Sequence, residues 1–164
     1  MLIEEKALKH WIDNFYGYGS WDATIWFIGY EENGGDVSEE VTGKVNYFYK
    51  VYAPTDATLC DIRELYRQVA ISLDDPKSIL LTNRCEYRFG KNAVQNVVWK
   101  NLVAFQYGYR NEILPDFLEY QKHTFASPSE HNEVLICLYP LLYLFTVISA
   151  VAQIESLVSI AKLI

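Results

Sequence analysis

Cysteine and histidine are scarce in this chain, and each shortage removes a class of function. Cys60, Cys85 and Cys137 are far apart and odd in number, which gives neither a disulfide framework nor a CxxC metal or redox pair. His123 and His131 read as loop residues and His10 as a helix residue, so none is assigned to catalysis. Residues 1–20 hold no basic segment leading into an apolar run and a small-residue cleavage site, and a reducing cytoplasm is the expected location. There is no internal repeat and no low-complexity tract.

Positive charge is also in short supply. A formal net charge of -7 argues against strong nonspecific nucleic-acid binding, which depends on cationic side chains displacing counterions from phosphates. The charge is uneven, however. Residues 1–40 carry nine acids against two bases, whereas residues 63–110 carry eight bases against four acids. A solvated helix face is the first explanation of the basic stretch and a phosphate-facing surface the second.

Apolar and aromatic residues are abundant: 51% of the chain is hydrophobic, with 13 Tyr, 8 Phe and 4 Trp. A chain of 164 residues with this composition can bury the core of one domain, taken as residues 1–164. Residues 3–15 open with acids and place Leu8, Trp11, Ile12 and Phe15 at helical spacing. A glycine-rich loop, "YGYGSWDA", follows. Thr24 to Ile28 is a short β-branched and aromatic run that predicts a central strand buried on both faces. Val37 to Val51 and Thr58 to Leu73 read as helices separated by the "YAPTDA" break. A further amphipathic helix is predicted near Asn92 to Phe105, with Val94, Val97, Val98, Leu102 and Phe105 on its apolar face. Lys122 to Asn132 reads as a loop.

No charged residue interrupts Val134 to Ile154, a length that would cross a bilayer. Pro140 cuts this run, leaving "EVLICLY" as a second buried strand. Beyond it, Thr146, Ser149, Gln153, Ser156 and Ser159 trace one polar stripe, so residues 141–164 are expected to form a mostly buried helix. A membrane anchor or a foreign, frame-altered terminus are the other readings of that segment.

The chemistry-bearing stretch is "TIWFIGYEENGGD", Thr24 to Asp36. In an open α/β sheet, ligands bind outside the carboxyl ends of strands. Gly34 and Gly35 permit close backbone approach there. The turn is not a phosphate loop, because no Lys-Ser/Thr pair follows and Glu31, Glu32 and Asp36 would repel an anion. Its carboxylates either cap the next helix or orient a water and accept hydrogen bonds from an amide-like heterocycle. A metal would need ligands elsewhere in the chain that are not evident, so neither metal nor cofactor is expected.

"HWIDNFYGYGSWDATIWFIGYEENGGD", His10 to Asp36, resembles the start of bacterial proteins of the uracil-DNA glycosylase-like superfamily, with weaker similarity through "VWKNLVAFQYG", "EYQKH" and "EVLICLYPLL". The resemblance covers roughly residues 8–142 and implies an α/β fold, a short parallel sheet flanked by helices in an αβα sandwich. It implies cleavage of the glycosidic bond of a flipped base by water. It places Gly29 at the opening of the turn, Glu31 or Glu32 at the water-directing carboxylate, and Tyr30 on the pocket wall. Tyr16, Tyr18 or Trp21 would then stack on the base, with Gly34 and Gly35 lining its site. The superfamily's His-Pro-Ser loop has no counterpart, since the chain contains no His-Pro pair, and the core is expected to be incomplete relative to that family. The expected partner is DNA or a nucleobase-containing ligand. The alternatives are an inactive relative that self-associates through an open sheet edge and the apolar tail, and a membrane-tethered domain.

Overall fold

The structure is a computed structural model that describes residues 3–29, 38–67 and 85–137. Helix α1, Glu5–Asn14, begins with an acid in its first turn and ends where Phe15 turns extended, its N–H still bonded to the Trp11 carbonyl. Trp11 stacks on Phe15 with ring centroids 3.8 Å apart, and Phe48 packs edge-on against both. Phe48 belongs to α2, Ser38–Tyr52, whose Val41, Val45 and Phe48 recur at i, i+4 and i+7 and are all buried. That spacing aligns one apolar stripe against α1. Pro54 lies in the 3-10 turn Ala53–Thr55, which ends α2.

Four strands follow the order β2-β4-β1-β3, with β1 at Gly17–Tyr18, β2 at Ile25–Gly29, β3 at Leu59–Cys60 and β4 at Glu133–Cys137. β2 runs parallel to β4 from Ile25↔Glu133 to Gly29↔Cys137, and β1 runs parallel to β3. β1 is antiparallel to β4, so the sheet is mixed rather than wholly parallel. The glycine-rich stretch expected as a loop supplies β1, and its glycines explain how. Gly17 has φ +139, and a Cβ there would lie 1.9 Å from the Leu135 carbonyl oxygen. Only a residue without a side chain lets β1 approach β4 so closely.

Three further expectations change. The run from Thr24 does form a strand, but among the described residues β2 stands at one end of the sheet, with Trp26 49% and Ile28 61% exposed. β4 is the buried inner strand, as "EVLICLY" suggested. The predicted helix from Thr58 begins instead as β3; Asp61 then accepts the Arg63 N–H at 2.8 Å and starts α3, Ile62–Arg67. Residues 85–89 form α4, and α5 spans Val97–Arg110, capped by the Asn96 side chain on Val98 and Trp99 N–H. On α5 the buried residues are Val103 and Gln106, while Val97, Val98 and Phe105 point outward. Apolar residues surround most of this helix, so periodicity did not single out the face that packs.

α6, Phe117–His123, begins at the Asp116 cap and takes the first residues of the stretch expected to be a loop. All these helices except the short α4 contribute buried residues to one core that reaches Tyr18 and Cys60 on the sheet. Because side chains alternate along a strand, Phe27, Leu135 and Tyr18 share the face toward this core. Trp26, Ile28, Val134 and Ile136 share the other. On that other face Ala23, Leu59, Val134 and Ile136 form a smaller cluster. A second helical layer is not found among the described residues, so the α/β class holds while the three-layer sandwich is not seen in them. The expected C-terminal helix, 141–164, lies outside the described residues. Within them no helix is long and apolar enough to cross a membrane.

Candidate functional site

Register brings the ends of β2 and β4 side by side, with Gly29 opposite Cys137. Just there, between the sheet and helices α3 and α5, lies a cleft of about 300 Å³. Tyr18, Phe27 and Gly29 line it from the sheet, and Tyr66, Trp99 and Leu102 from the helices. Its volume is at the small end for ligand sites, which suits a single flat ring.

The helix-side rings are braced from behind. Phe89 on α4 meets Tyr66 edge-on at 5.5 Å and stacks on Trp99 at 5.9 Å, while Phe125 also stacks on Trp99 at 5.1 Å. Tyr18 is fixed by an edge contact with Phe15 at 5.4 Å. Rigid aromatic walls of this kind offer faces and edges on which a planar ligand packs without a large ordering cost.

Behind Tyr66 sits a pair of charges that sequence reasoning passed over. Lys44 Nζ lies 3.3 Å from Glu40 Oε1, with side chains only 3% and 2% exposed, and it also lies 4.8 Å from the centre of the Tyr66 ring. An i,i+4 pair of opposite charges is ordinarily a surface feature of a helix. A buried ion pair is seldom a net source of stability.

Of the sequence-predicted site residues, Gly29 and Tyr18 meet in this cleft. Trp21 does not line it; its indole N–H donates to Thr58 Oγ1 at 2.8 Å, and the ring borders a separate recess. Tyr16 packs edge-on against Trp21 and is likewise outside the cleft. Tyr30, Glu31, Glu32, Gly34 and Gly35 lie outside the described residues. The histidines are scattered: His10 contacts Asn14 on α1, His123 lies 3.5 Å from Glu119, and His131 bonds Ser20. Among the described residues no cluster of His, Cys, Asp or Glu has the makings of a metal site.

The amino end of β4 is polar but fully internal. The Tyr120 hydroxyl donates to Glu133 Oε2 at 2.7 Å, and the Ala126 N–H donates to Glu133 Oε1 at 2.7 Å. Burial, reinforced by the Glu133 carboxylate, pushes the Tyr120 phenol far above its ordinary value. Glu133 was hidden within an apolar strand pattern, and only its partners reveal why a carboxylate is there. No protein-family model, curated protein or solved structure matches this chain.

Proposed function

We propose that the chain is a uracil-DNA glycosylase-like protein that takes a flipped nucleobase into the aromatic cleft and hydrolyses its glycosidic bond. The observation that carries this reading is that Gly29 and Tyr18, chosen from sequence as pocket residues, line one cleft at the carboxyl ends of β2 and β4. Such an end is where an α/β sheet binds its ligand. The chain continues from Gly29 directly into Tyr30, Glu31 and Glu32, so a carboxylate is only two or three residues from the cleft wall.

In the proposed reaction the base lies between ring walls supplied by Tyr18, Tyr66 and Trp99. Gly29 has no side chain to obstruct it. Glu31 or Glu32 orients a water and takes its proton as the oxygen bonds to the sugar carbon. The carbon–nitrogen bond breaks, and the base leaves with the electron pair and is then protonated. Confinement in an apolar cleft keeps competing water away.

Uracil-containing single- and double-stranded oligonucleotides test this directly. Free uracil is the expected product, and Glu31→Gln with Glu32→Gln lowers its release by about 10²–10⁴-fold with an unchanged circular dichroism spectrum. A folded protein that releases no base from uracil, hypoxanthine or xanthine substrates refutes the hydrolytic reading.

A further inference from the structure

A second site lies apart from the cleft. Tyr16, Trp21 and Trp26 form a row of rings, each between 44% and 49% exposed, with centroids 6.0 and 5.4 Å apart. Burial favours such rings, so three of them left half in solvent side by side are unusual on a monomer's surface. The row is held in place from within. Trp21 Nε1 donates to Thr58 Oγ1 at 2.8 Å, and Trp26 Nε1 donates to the Ala23 carbonyl at 3.0 Å. With both indole N–H groups already engaged, the rings present their carbon surfaces. Trp26 also alternates with Phe27 along β2 and therefore points away from the cleft.

Beside Trp21 is an open recess of about 370 Å³, bordered by Ser20, Asp22, Asp56, Thr58 and Pro128. Among the described residues no lysine or arginine lines it. Among the described residues the Asp22 and Asp56 carboxylates have no hydrogen-bond or ion-pair partner. The surrounding turns are built to hold this shape: Gly19, Asp56 and His131 all have positive φ, and His131 Nδ1 lies 2.9 Å from Ser20 Oγ.

We propose that this recess and its aromatic row bind a neutral oligosaccharide. A pyranose ring has one face of C–H groups, which pack on the electron-rich face of an indole. Its rim of hydroxyls supplies donors for Asp22 and Asp56, and hydrogen bonds to ionised carboxylates are the strong kind. The tilts between successive rings, 63° and 55°, suit a chain whose units turn relative to one another. Charge decides against nucleic acid here. Stacking alone would also accept bases, but two carboxylates and no cation repel the phosphates that supply most of the affinity in such complexes.

The test uses maltohexaose, cellohexaose and chitohexaose as probes, with titration calorimetry and the tryptophan indole N–H resonances as readouts. At least one saccharide should bind and shift the Trp21 and Trp26 resonances while leaving Trp99 unmoved. Trp21→Ala should weaken that binding by about tenfold or more. Asp22→Asn with Asp56→Asn, two exposed changes that spare the fold, should weaken it severalfold, and added salt should have little effect. The proposal is overturned if none of the three saccharides moves these resonances, or if binding survives both variants undiminished. It is also overturned if a thymidine oligonucleotide moves them instead, with an affinity that falls as salt rises.

Discussion

At the amino end of β4, Glu133 takes hydrogen bonds from Tyr120 and Ala126 in a site closed to solvent, and Arg110 ties the end of α5 to Thr24 and the Asn132 carbonyl. At the carboxyl end of the same strand, Cys137 and Gly29 open onto an apolar, ring-lined cleft with room for a ligand. Within the five residues of β4 a polar junction that leaves no space gives way to an apolar one that does. The junction connects α5, α6 and the sheet and serves stability. The cleft wall includes the exposed Val98 beside buried core residues such as Tyr18, and binding sites draw on such less constrained positions.

Truncating the closed end should do the most damage. Glu133→Ala strands two buried donors, and the unfolding free energy should fall by about 3 kcal/mol in urea titrations. Glu133→Gln, which keeps an acceptor oxygen, should cost less. If Glu133→Ala is as stable as the parent chain, the two ends do not differ in the way described.

A smaller effect concerns alkaline pH. The folded state raises the pKa of Tyr120 above the ordinary phenol value of about 10. The unfolded chain therefore ionises first as pH rises. The contribution of Tyr120 is fully present below about pH 10 and is lost above it, as pH rises toward the folded pKa. Tyr52 is raised in the same direction by burial and by its hydrogen bond to Glu64. Tyr120→Phe should flatten the decline in stability above pH 10 without abolishing it, because Tyr52 remains. An unchanged slope would separate Tyr120 from that decline.

The smallest effect on stability belongs to the open end. Val98 lines the cleft and is 62% exposed, so Val98→Ala should change the unfolding free energy by no more than about 0.5 kcal/mol. The same substitution should weaken binding of a ligand held in the cleft. A large loss of stability would mean that this wall belongs to the core.

Parts of this organisation were legible without coordinates. The helix α2, the acid-led start of α1 and the strands β2 and β4 follow from residues close in sequence, where capping, turn residues and spacing act locally. Gly29 was legible as a strand end for a related reason, since a glycine closes an apolar run there, whereas a pocket role for Gly29 and Tyr18 was implied only by the family resemblance. Trp21 was not separable from Tyr18 by the same reasoning. Both are aromatic residues in one glycine-rich stretch, and only the turn after Gly19 sends them to different places.

What the sequence by itself determined is the α/β class, most of the helices and the position of the strand end that faces the cleft, because those depend on local periodicity and turn chemistry. Tertiary structure alone decided that β1 pairs antiparallel with β4, that β2 lies at the end of the described sheet, and that α5 buries Val103 and Gln106 instead of Val98 and Phe105. It also decided that Glu133, Glu40 and Lys44 are internal. Each of these rests on a partner distant in the chain, such as Leu135 for Gly17, Tyr120 for Gln106 or Tyr66 for Lys44. A charged or apolar residue has no fixed side until such a partner is in place.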